Sequence, residues 1–287
     1  MRTFSDYKRE GHNWITLANG EYYPDILQDA CTLYAPVLIL FGQILRSSES
    51  STRLLTTIAE VPESWMRIQL VRVFRKYVSP ETPVEMLKKK TKVKEICEQF
   101  GRGFRPIQDV QAAFDSRPLP DEALCALLWE YQARGKKGYD LTERFFALFR
   151  ATFPTLSLLG PERAGRDIRL GSLFEDYSNP QRPVDFVIKH EDQVLAIGLA
   201  RYDSDRGGAQ EDDRTGGYRN CADEILTYTQ NRFTKTKVIF LNDGPGLLLG
   251  SMWDDYAALE ARWPGKVLVL TLRMVPERLT HDWLQAE

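Results

Sequence analysis

Between Arg182 and Asn220 the chain gathers carboxylates, arginines and glycines around two short apolar runs. Asp185 stands in the first run, 184–188. The second, 193–200, ends at Arg201, and Asp203, Asp205, Glu211, Asp212 and Asp213 follow within a dozen residues. Carboxylates converging from neighbouring strands are the usual way to hold Mg2+, a hard cation that takes oxygen ligands and keeps several waters. A bound Mg2+ activates water and stabilises the charge that builds up in phosphodiester hydrolysis. Other chemistries lose their footing early. There is no phosphate-binding GxxxxGK[ST] loop, no GxSxG elbow, no HExxH and no GxGxxG between strand and helix.

The elements that must position these residues follow from periodicity. The runs 184–188 and 193–200, joined by the polar turn Lys189-His190-Glu191-Asp192, predict a β-hairpin. Residues 201–219 read as a charged, glycine-rich loop. A helix over 222–230, a strand over 235–241, a helix over 251–262 and a last strand from Lys266 complete two βα steps, which implies a mixed sheet flanked by helices. Upstream, helices are predicted from Pro24 to Arg46 with Pro36 inside, over 65–77, over 84–100, over 119–134 and over 141–152, the last two joined by a turn at 135–139. Residues 1–24 read as a loose arm anchored by Trp14, Tyr22 and Tyr23. The fold class is therefore α/β, with a mainly helical N-terminal region at 1–140 and an α/β core at 141–287.

Composition bounds the partners. The 287 residues carry a formal net charge of −2, which excludes a wholesale basic nucleic-acid binder but not a local basic cleft. Four scattered cysteines without CxxC spacing, and only three histidines, argue for reduced thiols in the cytoplasm rather than a zinc cluster. No apolar leader opens the chain, and the run 35–41 is too short to span a bilayer. The most basic stretch holds Lys88, Lys89 and Lys90, with Arg102 and Arg105 beyond it. It reads either as a solvated helix face or as a set of phosphate contacts.

Pro183-Val-Asp185 ahead of a second strand resembles the first half of the PD-(D/E)xK nuclease motif, and the order helix, hairpin, helix, strand is similar to that superfamily's core. The tail DRGGAQEDDRTGGYRN resembles type II restriction endonucleases. The resemblance covers roughly 141–275 and implies a restriction-endonuclease-like core, Mg2+ as cofactor, double-stranded DNA as substrate and a homodimer whose symmetry matches a two-fold DNA site. Asp185 is then the metal ligand and Arg201 takes the lysine position. The acid position falls on Leu199, which binds no metal. Asp203, the segment Glu211-Asp212-Asp213, or Glu162 with Asp167 are the candidate replacements. Lys235 or Lys237 are the candidate substitutes for the lysine. Arg206, Gln210, Arg214 and Arg219 are placed to read bases, since arginine pairs with guanine and glutamine with adenine in the major groove. Two other readings stay open: a nuclease fold that only binds DNA, and an unrelated α/β protein acting on a phosphorylated small molecule.

Overall fold

The computed structural model describes residues 2–18, 20–82, 84–163, 165–204, 210–232 and 234–286, with side chains for all of these except 84–85, 132–135 and 210–215. The chain divides into two compact units, Gly20–Arg134 and a second made of Met1–Asn19 with Gly135–Glu287. The division thus falls at 134/135 rather than at 140, and the first nineteen residues belong with the α/β unit.

The unit Gly20–Arg134 is helical. After α1 (Gly11–Trp14), which belongs to the other unit, come α2 (Leu27–Arg46), α3 (Ser51–Glu60), α4 (Ser64–Tyr77), α5 (Val84–Leu87), α6 (Val93–Phe100) and α7 (Ile107–Asp115). Helix α2 buries Ala30, Tyr34, Val37, Leu38, Phe41 and Leu45, a stripe at helical spacing, against α3, α4 and α7. By length and composition alone α2 is apolar enough to cross a membrane, which the run 35–41 by itself did not suggest. Here that apolar stripe forms the core of the unit. Helix α3 starts where Ser50 Oγ accepts from Arg53 N at 3.1 Å, and α4 where the Glu63 carboxylate accepts from Trp65 N at 2.8 Å, both supplying acceptors for otherwise orphaned amides. The helix expected over 84–100 is interrupted, with a short 3-10 turn at Lys90–Lys92 between α5 and α6. The break falls in the lysine run, where like charges four residues apart (Lys88–Lys92, Lys90–Lys94) disfavour a continuous helix.

Helix α8 (Glu122–Thr152) runs unbroken through the turn expected at 135–139. Each glycine there costs about 1 kcal/mol relative to alanine. The buried stripes on either side, Leu124, Cys125 and Leu128 before, Leu141, Phe145, Phe146 and Phe149 after, outweigh it.

The α/β unit holds a five-stranded sheet in the order β1 (Ser157–Leu159), β4 (Phe186–His190), β5 (Gln193–Tyr202), β6 (Lys237–Asp243), β7 (Val267–Leu270). Strands β1, β4 and β5 form an antiparallel meander, while β6 and β7 run parallel to β5. The crossover from β5 to β6 is made by α9 (Gln210–Asn231), and that from β6 to β7 by α10 (Met252–Arg262), as parallel pairing requires. A two-stranded ribbon, β2 (Ile168–Arg169) with β3 (Pro183–Val184), precedes the hairpin. The short helices α11 (Val275–Arg278) and α12 (His281–Gln285) close the chain. Strands β6 and β7 are buried at every position, which accounts for their unbroken apolar runs.

The N-terminal segment is no loose arm. Phe4 and Tyr7, on a 3-10 helix at Phe4–Glu10, are fully buried, and Phe4 stacks on Trp253 at 4.5 Å between ring centres. The Glu260 carboxylate accepts from Phe4 N at 2.7 Å and Val269 N at 2.9 Å and pairs with buried Arg278 at 2.8 Å. One carboxylate thus joins the start of the chain, α10, β7 and α11. Tyr22 and Tyr23, expected as anchors, are exposed.

Candidate active site

The hairpin brings Asp185 and Arg201 to the same end of the sheet. Phe186 pairs with Gly198, so one step outward Asp185 falls beside Leu199. Gly198 is required by this pairing, because a Cβ there would lie 2.0 Å from the Phe186 ring. Asp185 itself interrupts the strand. Its Oδ2 accepts from Ala200 N at 2.7 Å, taking the place of a main-chain carbonyl, and β3 ends just before it. Burial is the main cause that raises the Asp185 pKa above the ordinary carboxylate range. The Ala200 amide opposes that shift, and the charge of Asp167 adds to it.

Successive side chains alternate across β5, so Leu199 and Arg201 share one face, and Asp203 follows just past the strand's end. Arg201 Nε donates to Asp203 Oδ1 at 2.7 Å, and Asp203 is 1% exposed. Arg201 also reaches the hydroxyl of Tyr218 on α9, whose pKa burial pushes up to about 12. Tyr218 packs on Phe240 at 5.1 Å, fixing α9 against the sheet. Asp203 is further held through its main chain: its N–H donates to Asp243 O at 2.8 Å and its carbonyl accepts from Gly246 N at 2.9 Å. Gly244, at φ 106°, permits this approach, since a Cβ there would lie 2.3 Å from the Asp203 carbonyl oxygen. Asp203, expected among the metal ligands, is held just past the end of β5 as the partner of Arg201.

Other expected residues separate from the site. Glu162 lies in a bend after β1, not on a helix, and pairs with Arg150 at 2.6 Å. Lys237 pairs in register with Ala196, five residues along β5 from Arg201, and its ammonium donates to Trp283 O. Burial lowers its pKa to about 8. The segment expected as a loop at 201–219 is helical from Gln210, as the first turns of α9. Arg206 lies outside the described residues, and so do the side chains of Gln210, Glu211, Asp212, Asp213 and Arg214. Arg219 is exposed on α9. Lys89, Lys90, Arg102 and Arg105 are exposed in the helical unit, and Lys88 is half-buried there.

Several residues of this region had not been singled out. Asn242, opposite Arg201 in register, is fully buried, and neither of its amide atoms makes a protein hydrogen bond. A polar residue ending the run Val-Ile-Phe-Leu was the available signal. Asp243 is a structural carboxylate: Thr16 N at 2.6 Å and Gly244 N at 2.7 Å donate to Oδ1, and Leu272 N at 2.9 Å donates to Oδ2. Tyr218 was visible only as part of the stripe it shares with buried Cys221, Ala222 and Ile225.

Among the described residues no group of three or more histidines, cysteines or acids is arranged to enclose a metal. Mg2+ does not demand one, because it is commonly held by one or two carboxylates with water and substrate phosphate completing the shell. Asp185, which the charge of Asp167 reaches, is the candidate for such an arrangement. The negative charge of Asp167 already disfavours ionisation of Asp185, a repulsion that a cation relieves. Comparison with family models, curated proteins and solved structures finds no significant match.

Proposed function

We propose that the protein is a Mg2+-dependent endonuclease that hydrolyses phosphodiester bonds of double-stranded DNA in a sequence-specific way, similar to type II restriction endonucleases. The observation that carries this reading is the position of Asp185. It stands at the break before the second strand of an antiparallel meander that is preceded by a helix and followed by a helix and a parallel strand. That order resembles the PD-(D/E)xK core. In this reading Asp185 and Asp167 hold Mg2+, which supplies charge neutralisation and a more acidic water when bound. Arg201 occupies the lysine position and contributes a fixed positive charge, oriented by Asp203 and Tyr218.

The working unit in this proposal is a cytoplasmic homodimer acting on a two-fold DNA site, each subunit cutting one strand. The helical unit's Lys88, Lys89, Lys90, Arg102 and Arg105 contact phosphates, and the segment carrying Arg206, Gln210, Arg214 and Arg219 reads bases. A second reading, DNA binding without cleavage, is favoured by Leu199 at the acid position and by the closed Arg201–Asp203 pair. Digestion of bacteriophage DNA separates the two. Discrete fragments in Mg2+ and intact DNA in EDTA are expected. Specific binding to a DNA site with no cleavage in Mg2+ or Mn2+ establishes the second reading instead.

A further inference from the structure

The ribbon β2–β3 lies immediately before Asp185 in the chain, and of the residues lining its cleft only Asp167 was an expected site residue. The cleft is lined by Gly165, Arg166, Asp167, Arg169, Gln181 and Pro183 among others, with a volume of about 940 Å3. That is at the upper end of the roughly 300–1,000 Å3 usual for ligand clefts. Asp167 in its wall is the residue whose charge reaches Asp185, and Pro183 on its rim pairs with Arg169 across the ribbon.

The arginines of this segment differ in what they do. Arg163 is committed to Glu143, with Nε to Oε2 at 3.0 Å and Nη2 to Oε1 at 2.9 Å. Arg166 and Arg169 are both exposed. Neither side chain makes an ion pair or hydrogen bond among the described residues; besides the pairing of β2 with β3, the main-chain carbonyl of Arg169 accepts from Ser172 Oγ at 2.7 Å. Two uncommitted guanidinium groups, Arg169 on the two-stranded ribbon and Arg166 two residues before it, beside a cleft that also holds the Asp167 carboxylate, suit a polyanion that brings its own negative charge to a cation site. The chain's net charge of −2 makes such a local cluster the more informative, since it does not follow from the overall balance.

We propose that the β2–β3 ribbon grips the DNA backbone on the Asp185 side of the site, with Arg166 and Arg169 as phosphate contacts. This rests on the proposed function. A phosphate contact from arginine is charge-assisted and two-pronged, and it fixes register without reading sequence. Gln181 in the same cleft adds a neutral donor.

The test is equilibrium binding of a fluorescent duplex oligonucleotide in EDTA, measured by anisotropy across a salt series. The wild type is compared with the double variants R166Q/R169Q and R166K/R169K. Each phosphate contact contributes about 0.9 to the slope of log K against log salt. The glutamine pair is therefore expected to lower that slope by roughly 2 and to weaken binding on the order of tens-fold near 0.1 M salt. The lysine pair, which keeps the charge, is expected to retain the slope. Equal melting temperatures for the three proteins verify that the exposed substitutions leave the fold intact. Wild-type binding that the glutamine pair leaves unchanged in slope and affinity overturns the ribbon's role while the nuclease reading stands. A wild type that binds no duplex DNA overturns both.

Discussion

Asp185 shows how a buried carboxylate works against the fold that carries it. Its pKa is raised by burial first and by Asp167 second, so the folded protein holds this proton more tightly than the unfolded chain does. The stabilising contribution is therefore full below the unfolded carboxylate pKa and is lost as pH rises through the higher folded value. Above that folded value the ionised side chain opposes folding. Asp185→Asn, which keeps an oxygen to accept from Ala200 N, is expected to raise the melting temperature at pH 7 to 8, with the gain disappearing towards pH 3. Thermal unfolding across that range checks it, and a loss of stability at pH 7 would refute the assignment. The motif resemblance singled out Asp185 and Arg201, which the hairpin brings to the same end of the sheet. It did not reveal that Asp203 is buried under Arg201, because a side chain two residues away serves equally as a ligand or as a partner until the strand's environment is known.

At the scale of elements, the segment Phe4–Trp14 carries more than a terminal arm should. Phe4 is wholly buried on Trp253, and its main-chain amide is one of the donors to the Glu260 carboxylate. Phe4→Ala is expected to cost about 3–5 kcal/mol, the usual range for removing a buried aromatic ring, readable by urea denaturation. A cost near zero would mean that the segment is not part of the folded unit. The hairpin, α9's second half, β6 and β7 were legible because their apolar patterns are short, dense and bounded by turn residues. Three features were not. Strands β1, β2 and β3 are two or three residues long, too short for any period to register. The continuity of α8 through Gly135 and Gly138 depends on cores outside the glycines' own neighbourhood. The helical character of residues 210–219 is hidden by the low helix propensity of Gly216, Gly217 and the aspartates.

For the whole molecule, two separate cores divide the work: one is purely helical, and the other is built around the mixed sheet with Asp185 and Arg201 at one end of its central strands. The sequence-level division at 140 missed the return of the first nineteen residues to the sheet unit, since only long-range contacts such as those of Phe4, Thr16 and Tyr202 define it. The proposed function as a whole rests on Asp185. The most direct measurement is cleavage of supercoiled plasmid DNA by wild-type protein and by Asp185→Asn side by side, in Mg2+ and in EDTA. The expected result is nicked or linear product from the wild type in Mg2+ alone, with the variant reduced at least about a hundredfold, as for loss of a group that acts on the reacting phosphate. Cleavage by the variant at the wild-type rate, or no cleavage of varied DNA by the wild type, would contradict it.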